Sequence, residues 1–494
     1  MSKGDGCGGK FGHRVRDKTM NTNRLIHAGF WFGKSDVKEA LELAKAGVGG
    51  FCIYFGTTKE VKELIAALRA AAPSGLIISA DYEYGLGRWH KDAQLLPSNI
   101  SIGAARKEDL SYKKGLITAR QARELGVDWV LAPNVDLADT PANPIVNTRS
   151  FGKDASLVTD MAKAFMLGLA DGGCLNCLKH FPGHGSTLLD SHLSLPTVNK
   201  SLSKLQEEDL IPYKKLLTKA DAIMPSHLLV PAFDKEKPAS FSEKTIQGFL
   251  RRELHYKGLI VTDALIMKAT GGLEPVDAFK AGADILLCPE KPFEVMAKLE
   301  KEVKKDRSLI DHAISALSEQ EMMIAKLKSA EDFVCKDCAE QADKLSFDTA
   351  RAGICLKGED IKLKHGKSVT YLEIDVFPGG EMQAKDFYNK LKAEGIKLKP
   401  YKAGDKSDVL IISTMANYAA FSGKINFSAE QKEIINKAAA KAGKSALVSF
   451  GSPFVDDGLK INSFLMAGTQ TAPFQKVCAD ILLGKEAARG FMPV

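Results

Sequence analysis

Along its first three hundred residues the chain repeats one pattern of apolar and polar positions: a short apolar run, a polar residue, a loop, then a helical stretch. The apolar runs fall at 50–55, 76–80, 127–132, 175–178, 222–224, 259–262 and 284–287. Between them, segments such as 61–68 and 112–125 space their apolar residues by three and four, the period of an amphipathic helix. Strands that are apolar throughout and alternate with helices predict parallel β-structure buried on both faces. Seven such strands over some 280 residues fit a (β/α)8 barrel with one strand irregular or missed. The rival, a doubly wound open sheet, calls for a glycine-rich phosphate loop after the first strand, and the sequence has none there.

Beyond the barrel pattern, residues 306–344 read as a charged helical segment with Leu309, Ala313, Ala316 and Leu317 on one face. A second pattern begins near residue 350, with strand candidates at 368–374, 408–413 and 445–450 and a helix at 431–440. The expected α/β organisation is a tail over 1–23, a TIM-like barrel over 24–325, a connector over 326–350 and a smaller α/β sandwich domain over 351–494.

Composition narrows the partners. With 45% hydrophobic and 26% charged residues the chain is an ordinary globular protein. The net charge of +7 comes from 68 basic and 61 acidic residues intermixed along the chain, so no nucleic-acid partner is expected. No apolar run approaches the ~18–20 residues of a membrane span. The first ten residues carry no apolar core of a signal peptide, so the cytoplasm is the default location, with secretion open if a leader was removed. Nine cysteines include two pairs, Cys174 with Cys177 and Cys335 with Cys338, which lack the second ligand pair of a zinc site and are expected as thiols of a reducing compartment. No cofactor is called for, and the oligomeric state is not legible.

Chemistry-bearing residues sit where barrel chemistry belongs. Asp81, the Lys179-His180 pair, His227 and Asp263 each follow an apolar run, and the carboxyl ends of barrel strands carry the active site. The densest constellation runs from Lys179 to His192 and includes His180, His184 and Asp190. Its Pro182, Gly183 and Gly185 make it a loop. His180, His184, Asp190 and His192 could wrap a metal, although their spacing is irregular. His184 could simply hold the loop together. Asp190 and His192 could form an acid/base pair, the carboxylate fixing the imidazole tautomer and raising its basicity.

The stretch Lys179-His180-Phe181-Pro182-Gly183-His184-Gly185, four residues, then Asp190-Ser191-His192 resembles the signature of the glycoside hydrolase family 3 β-N-acetylglucosaminidases. Further matches follow in the family's order: Leu131 to Asp136, Asn143 to Gly152 and Thr262 to Met267, with a weaker likeness at Gly490 to Val494. The resemblance implies a retaining exo-enzyme that releases terminal N-acetylglucosamine from peptidoglycan fragments or chitooligosaccharides through a covalent glycosyl-enzyme. It implies Asp263 as nucleophile and His192 as acid/base with Asp190 behind it. Asp81, Arg149, Lys179, His180 and Arg88 then hold the terminal sugar, and no metal takes part. Two departures stand out. The segment from Asp81 to Arg88 lacks the family's double glycine and brings its arginine one position closer to the aspartate. Ser186 replaces a commoner aspartate. Glu83 is the alternative carboxylate acid. The rival readings are a β-glucosidase, a phosphorylase of the same glycosides and a non-catalytic sugar-binding protein. The charge of +7 mildly favours anionic muropeptides.

Overall fold

The computed structural model describes residues 20–191, 193–328, 337–376, 383–416 and 425–494. Eight parallel strands form the first domain: β1 (Ile26–Trp31), β2 (Gly50–Tyr54), β3 (Ile77–Ala80), β4 (Trp129–Val130), β5 (Cys177–Phe181), β6 (Ala222–Pro225), β7 (Leu259–Ile260) and β8 (Leu286–Leu287). They pair as β4-β3-β2-β1-β8 and β5-β6-β7. Parallel bridges Trp129–Leu175 and Val261–Ile285 join the two arcs into a closed ring.

Side-chain alternation explains why the strands are mostly apolar on both faces. One set, including Cys52, Tyr54, Ile77, Trp129, Leu175, Ala222, Leu259 and Ile285, packs together inside the ring. The other, including Ala28, Phe30, Phe51, Ile53 and Ile78, packs outward against the surrounding helices. Met323 and Leu327 of helix Arg307–Lys328 join the inner set and close one end. Trp31, Trp89 and Ala264 are its partly exposed members at the other end. On the same helix Ala313 and Ala316 are buried as the pattern predicts.

Sequence reading missed β1. Its run Ile-His-Ala-Gly-Phe-Trp breaks the apolar pattern with His27 and Gly29. Gly29 is there because the Trp31 indole folds back over it, and a Cβ would meet the ring at 2.1 Å. One other expectation shifts: Lys179 and His180 lie within β5 rather than after it.

The second sheet has strand order β11-β10-β12-β13-β14-β9, from β9 (Cys355–Gly358), β10 (Val369–Glu373), β11 (Leu398–Pro400), β12 (Ser407–Thr414), β13 (Ala442–Ser449) and β14 (Ser463–Met466). Only β9 runs antiparallel to its neighbour. Alternate residues again separate two cores. Val369, Tyr371, Ile411 and Val448 face one layer, and Leu410, Ile412, Leu447 and Phe464 face the other. This is a helix-covered α/β sandwich, and Ile100 and Ala104 of the barrel's helix Asn99–Ala105 pack into its second layer.

Six cysteines, Cys52, Cys174, Cys177, Cys288, Cys355 and Cys478, are buried free thiols. Cys338, expected as a thiol, is disulfide-bonded. Cys7 and Cys335 lie outside the described residues. Among the described residues no helix is long and apolar enough to cross a membrane.

Candidate active site

The carboxyl ends of β3, β4 and β5 bring a charged network together. Lys179 Nζ, inside the barrel, hydrogen-bonds Asp81 Oδ1 and lies 2.7 Å from Glu83 Oε1. Arg149 ends the short helical turn Asn147–Arg149 and grips Glu83 with two parallel bonds, Nη2 to Oε1 at 2.7 Å and Nε to Oε2 at 2.8 Å. His180 Nδ1 donates to Asp136 Oδ2 at 2.8 Å, which turns Nε2 toward Arg149 Nη2 at 3.4 Å. Asp136 also accepts the backbone N–H groups of His180 at 3.2 Å and His184 at 2.8 Å.

Buried charges persist only when paired, and here each has a partner. Burial alone would push Glu83 up, but Arg149 and Lys179 outweigh it and hold its carboxyl well below the usual range. Burial would likewise lower Lys179, yet Asp81 and Glu83 raise it, so it stays an ammonium at neutral pH. Asp136 resists burial through His180 and His184 and is held down to about 2. The Asp81 side chain is 27% exposed against 5% for Glu83 and 2% for Lys179. Asp81 is therefore the carboxylate of this network that faces the mouth.

Asp263 follows β7 in the register of the inward-facing Leu259 and Val261. Its Oδ1 accepts the Ala264 N–H at 2.8 Å. His227 supports the same segment from behind: Nε2 donates to Ala264 O at 3.2 Å, and Ser240 Oγ donates to Nδ1 at 2.6 Å. The interior thiol Cys177 lies in the electrostatic field of both carboxylates. Burial raises it, Lys179 opposes, and both Asp81 and Asp263 add to the rise.

The loop after β5 is built around His184. Burial pushes this imidazole down to about 4, against the Asp136 carboxylate. It shares hydrogen bonds with Thr187 Oγ1 at 2.8 Å and Ser191 Oγ at 3.2 Å. Asn143 Nδ2 donates to the carbonyls of His184 at 2.8 Å and Gly185 at 3.0 Å. Gly185 admits no side chain, since a Cβ would sit 2.0 Å from Leu137 O. Asp190 is buried, and Leu193 N donates to its carbonyl at 2.9 Å. His192 lies outside the described residues. Arg88 closes the turn Leu86–Arg88 and lines a crevice with Tyr84, Thr148, Gly468, Thr469 and Gln470, on the second-domain side of the site. Among the described residues no three His, Cys, Asp or Glu side chains are grouped to hold a metal ion.

Residues 19–319 match the Glycosyl hydrolase family 3 N terminal domain. The chain belongs to glycosyl hydrolase family 3. Among its relatives, a β-hexosaminidase of Idiomarina loihiensis is 34% identical over 263 residues, which are 50% of this chain and 79% of that protein. A β-hexosaminidase of Neisseria meningitidis serogroup C is 34% identical over 279 residues, 54% of this chain and 77% of that protein. A solved family 3 β-N-acetylglucosaminidase from Paenibacillus sp. FPU-7 superposes with a TM-score of 0.81 at 26% identity, over 96% of this chain and 98% of that one. A β-glucoside phosphorylase superposes at a TM-score of 0.85 over 97% of this chain and 94% of its own, but at 22% identity, so the likeness is one of fold. The protein is thus a glycoside hydrolase that acts on carbohydrate, on a barrel followed by an α/β sandwich.

Three residues that hold the site together were passed over in the sequence. Asp136 and Asn143 lay inside motifs without an assigned task, and Glu83 was weighed only as an acid. The signal for Asp136 was its place two residues after Asn134, whose Nδ2 donates to Asp136 Oδ2 at 2.9 Å and whose Oδ1 accepts the Asp136 N–H.

Proposed function

We propose that this family 3 hydrolase is a retaining exo-β-N-acetylglucosaminidase acting on peptidoglycan fragments or chitooligosaccharides. The observation that carries the reading is the loop from Lys179 to His192, whose Lys-His-Phe-Pro-Gly-His-Gly and Asp-Ser-His elements stand complete in a chain whose curated relatives are named β-hexosaminidases. In this reading Asp263 attacks the anomeric carbon while His192 protonates the departing oxygen, and Asp190 orients the imidazole. His192 then takes a proton from water, which releases the sugar from Asp263. Two inversions give net retention. Asp81, Arg149, Lys179, His180 and Arg88 bind the terminal sugar. The exposure of Asp81 at the mouth supports direct contact, while Glu83 holds Lys179 and Arg149 in place.

The test is product analysis on N,N′-diacetylchitobiose and on a purified muropeptide, with and without inorganic phosphate. N-acetylglucosamine released with retained configuration, at a rate indifferent to phosphate, is the expected result. Dominant N-acetylglucosamine 1-phosphate at millimolar phosphate, or a preference for aryl β-glucosides, overturns it.

A further inference from the structure

Phe55 is the first residue beyond β2, at the mouth of the barrel. The residue is 44% exposed, while the strand that delivers it is buried throughout. A single exposed phenylalanine is ordinary. This one stands on a backbone at φ 64°, a left-handed conformation that residues with a Cβ adopt at a cost and that persists only when its surroundings impose it. The surroundings are visible. His90 Nδ1 donates to Phe55 O at 2.8 Å, and His90 Nε2 accepts from Tyr82 OH at 2.6 Å. The next residue, Gly56, has φ 78°, and the Phe32 ring fills the place its Cβ would need.

The clamp fixes Phe55 relative to the site. Trp89 meets the Phe55 ring edge to face, with centroids 5.2 Å apart and planes at 79°. The same indole donates from Nε1 to Asp81 O at 2.7 Å. Phe55, Trp89 and Asp81 thus form one connected step, with the carboxylate inside and the phenyl ring at the rim.

We propose that Phe55, backed by Trp89, is a stacking platform for the sugar ring on the leaving-group side of the scissile bond, and so sets a preference for oligosaccharides over glycosides with small aglycones. The proposal rests on the reading of Asp81 as a ligand of the terminal sugar. A β-linked N-acetylglucosamine carries its substituents equatorially and presents C–H groups on both ring faces, a surface that an aromatic ring covers well. A platform used only by the second sugar adds binding energy that a methyl aglycone cannot claim.

The experiment compares kcat/KM for N,N′-diacetylchitobiose and for methyl N-acetyl-β-glucosaminide in the wild type, Phe55→Leu and Phe55→Tyr. Leucine keeps an apolar side chain without a ring, and tyrosine keeps the ring. The chitobiose-to-methyl ratio is expected to fall about tenfold in Phe55→Leu, mainly through KM, and to stay within about twofold of wild type in Phe55→Tyr. An unchanged ratio in Phe55→Leu, or an equal fall in Phe55→Tyr, overturns the platform while leaving the proposed activity standing. A wild-type enzyme inert on both glycosides overturns that activity, and the platform with it.

Discussion

At the scale of single residues, the role open to each carboxylate in this pocket follows from the cations that face it. Glu83 is locked between Arg149 and Lys179 and is held well below the usual carboxylate range, so it carries no proton to donate near neutrality. Replacing it with glutamine leaves two buried cations short of an anion, and breaking such a pair costs about 3–5 kcal/mol. Glu83→Gln is therefore expected to melt lower and to lose activity equally on glycosides with good and poor leaving groups. Selective loss on poor leaving groups alone would make Glu83 the acid. That selective signature is expected of His192→Ala, since nitrophenyl glycosides need no protonation as the bond breaks. Asp263→Asn is expected to lower kcat by several orders of magnitude on both classes, and a slow fluorinated sugar substrate should label Asp263 in the wild type, read by peptide mass spectrometry. The sequence made the candidates visible but not their charge states. Glu83 meets Arg149 across 66 residues and Asp81 meets Lys179 across 98, and no local pattern encodes those meetings.

At the scale of elements, the strands that were legible are those buried on both faces, where composition alone marks the run. β1 was lost because His27 and Gly29 serve interior packing that a hydropathy pattern cannot register. In the second sheet β11 was lost because Leu398, Lys399 and Pro400 are exposed or half-buried at an edge. The loop after β5 was legible as a loop, and the alternative task weighed for His184, holding that loop, matches its bonds to Thr187 and Ser191. A neutral His184 has a thermodynamic consequence. Its folded value, about 4, lies below the unfolded value of 6.5, so between those pH values the unfolded chain binds more protons. The stability it contributes is present above pH ~6.5 and is lost as pH falls through about 4, on the order of 3 kcal/mol in all. His27, buried in the barrel and held by burial at about 3, acts with the same sign. Melting temperature is expected to fall steeply from pH 6.5 to 4. His184→Gln should be less stable at pH 7 but should lose less over that interval. A parental melting temperature that stays flat across it would contradict a neutral, buried His184.

At the scale of the whole molecule, the two domains meet behind Arg149. Ser101 Oγ donates to Ala467 O at 2.7 Å, and Ser98 N donates to Thr469 Oγ1 at 2.9 Å, so the second domain grips helix Asn99–Ala105. That helix holds the site directly, because Asn99 Nδ2 donates to Arg149 O at 2.7 Å. From the other side, Asn147 Nδ2 donates to Ser452 Oγ at 3.0 Å, and Lys153 N donates to Pro493 O at 2.9 Å. Arg149 thus sits on a turn pinned by a barrel helix and by the sandwich domain together. Gly103 is the point of closest approach: a Cβ there would lie 1.7 Å from Phe151 O, a backbone atom with no room to give. Gly103→Ala must then push the helix and the 147–152 segment apart and carry the Arg149 guanidinium away from Glu83 and His180, with no substituted atom in the pocket. A displacement of about 1 Å at a positioning group can cost about a hundredfold in rate. The expected result is a lowered melting temperature together with a fall in kcat/KM toward that size, measured well below the melt, where the chain remains folded. If Gly103→Ala melts lower yet keeps full activity at such a temperature, the contact between this helix and the 147–152 segment stabilises the fold without positioning Arg149. Joint loss shows that the packing of helix Asn99–Ala105, which the sandwich domain grips, against the 147–152 segment sets the geometry of Arg149.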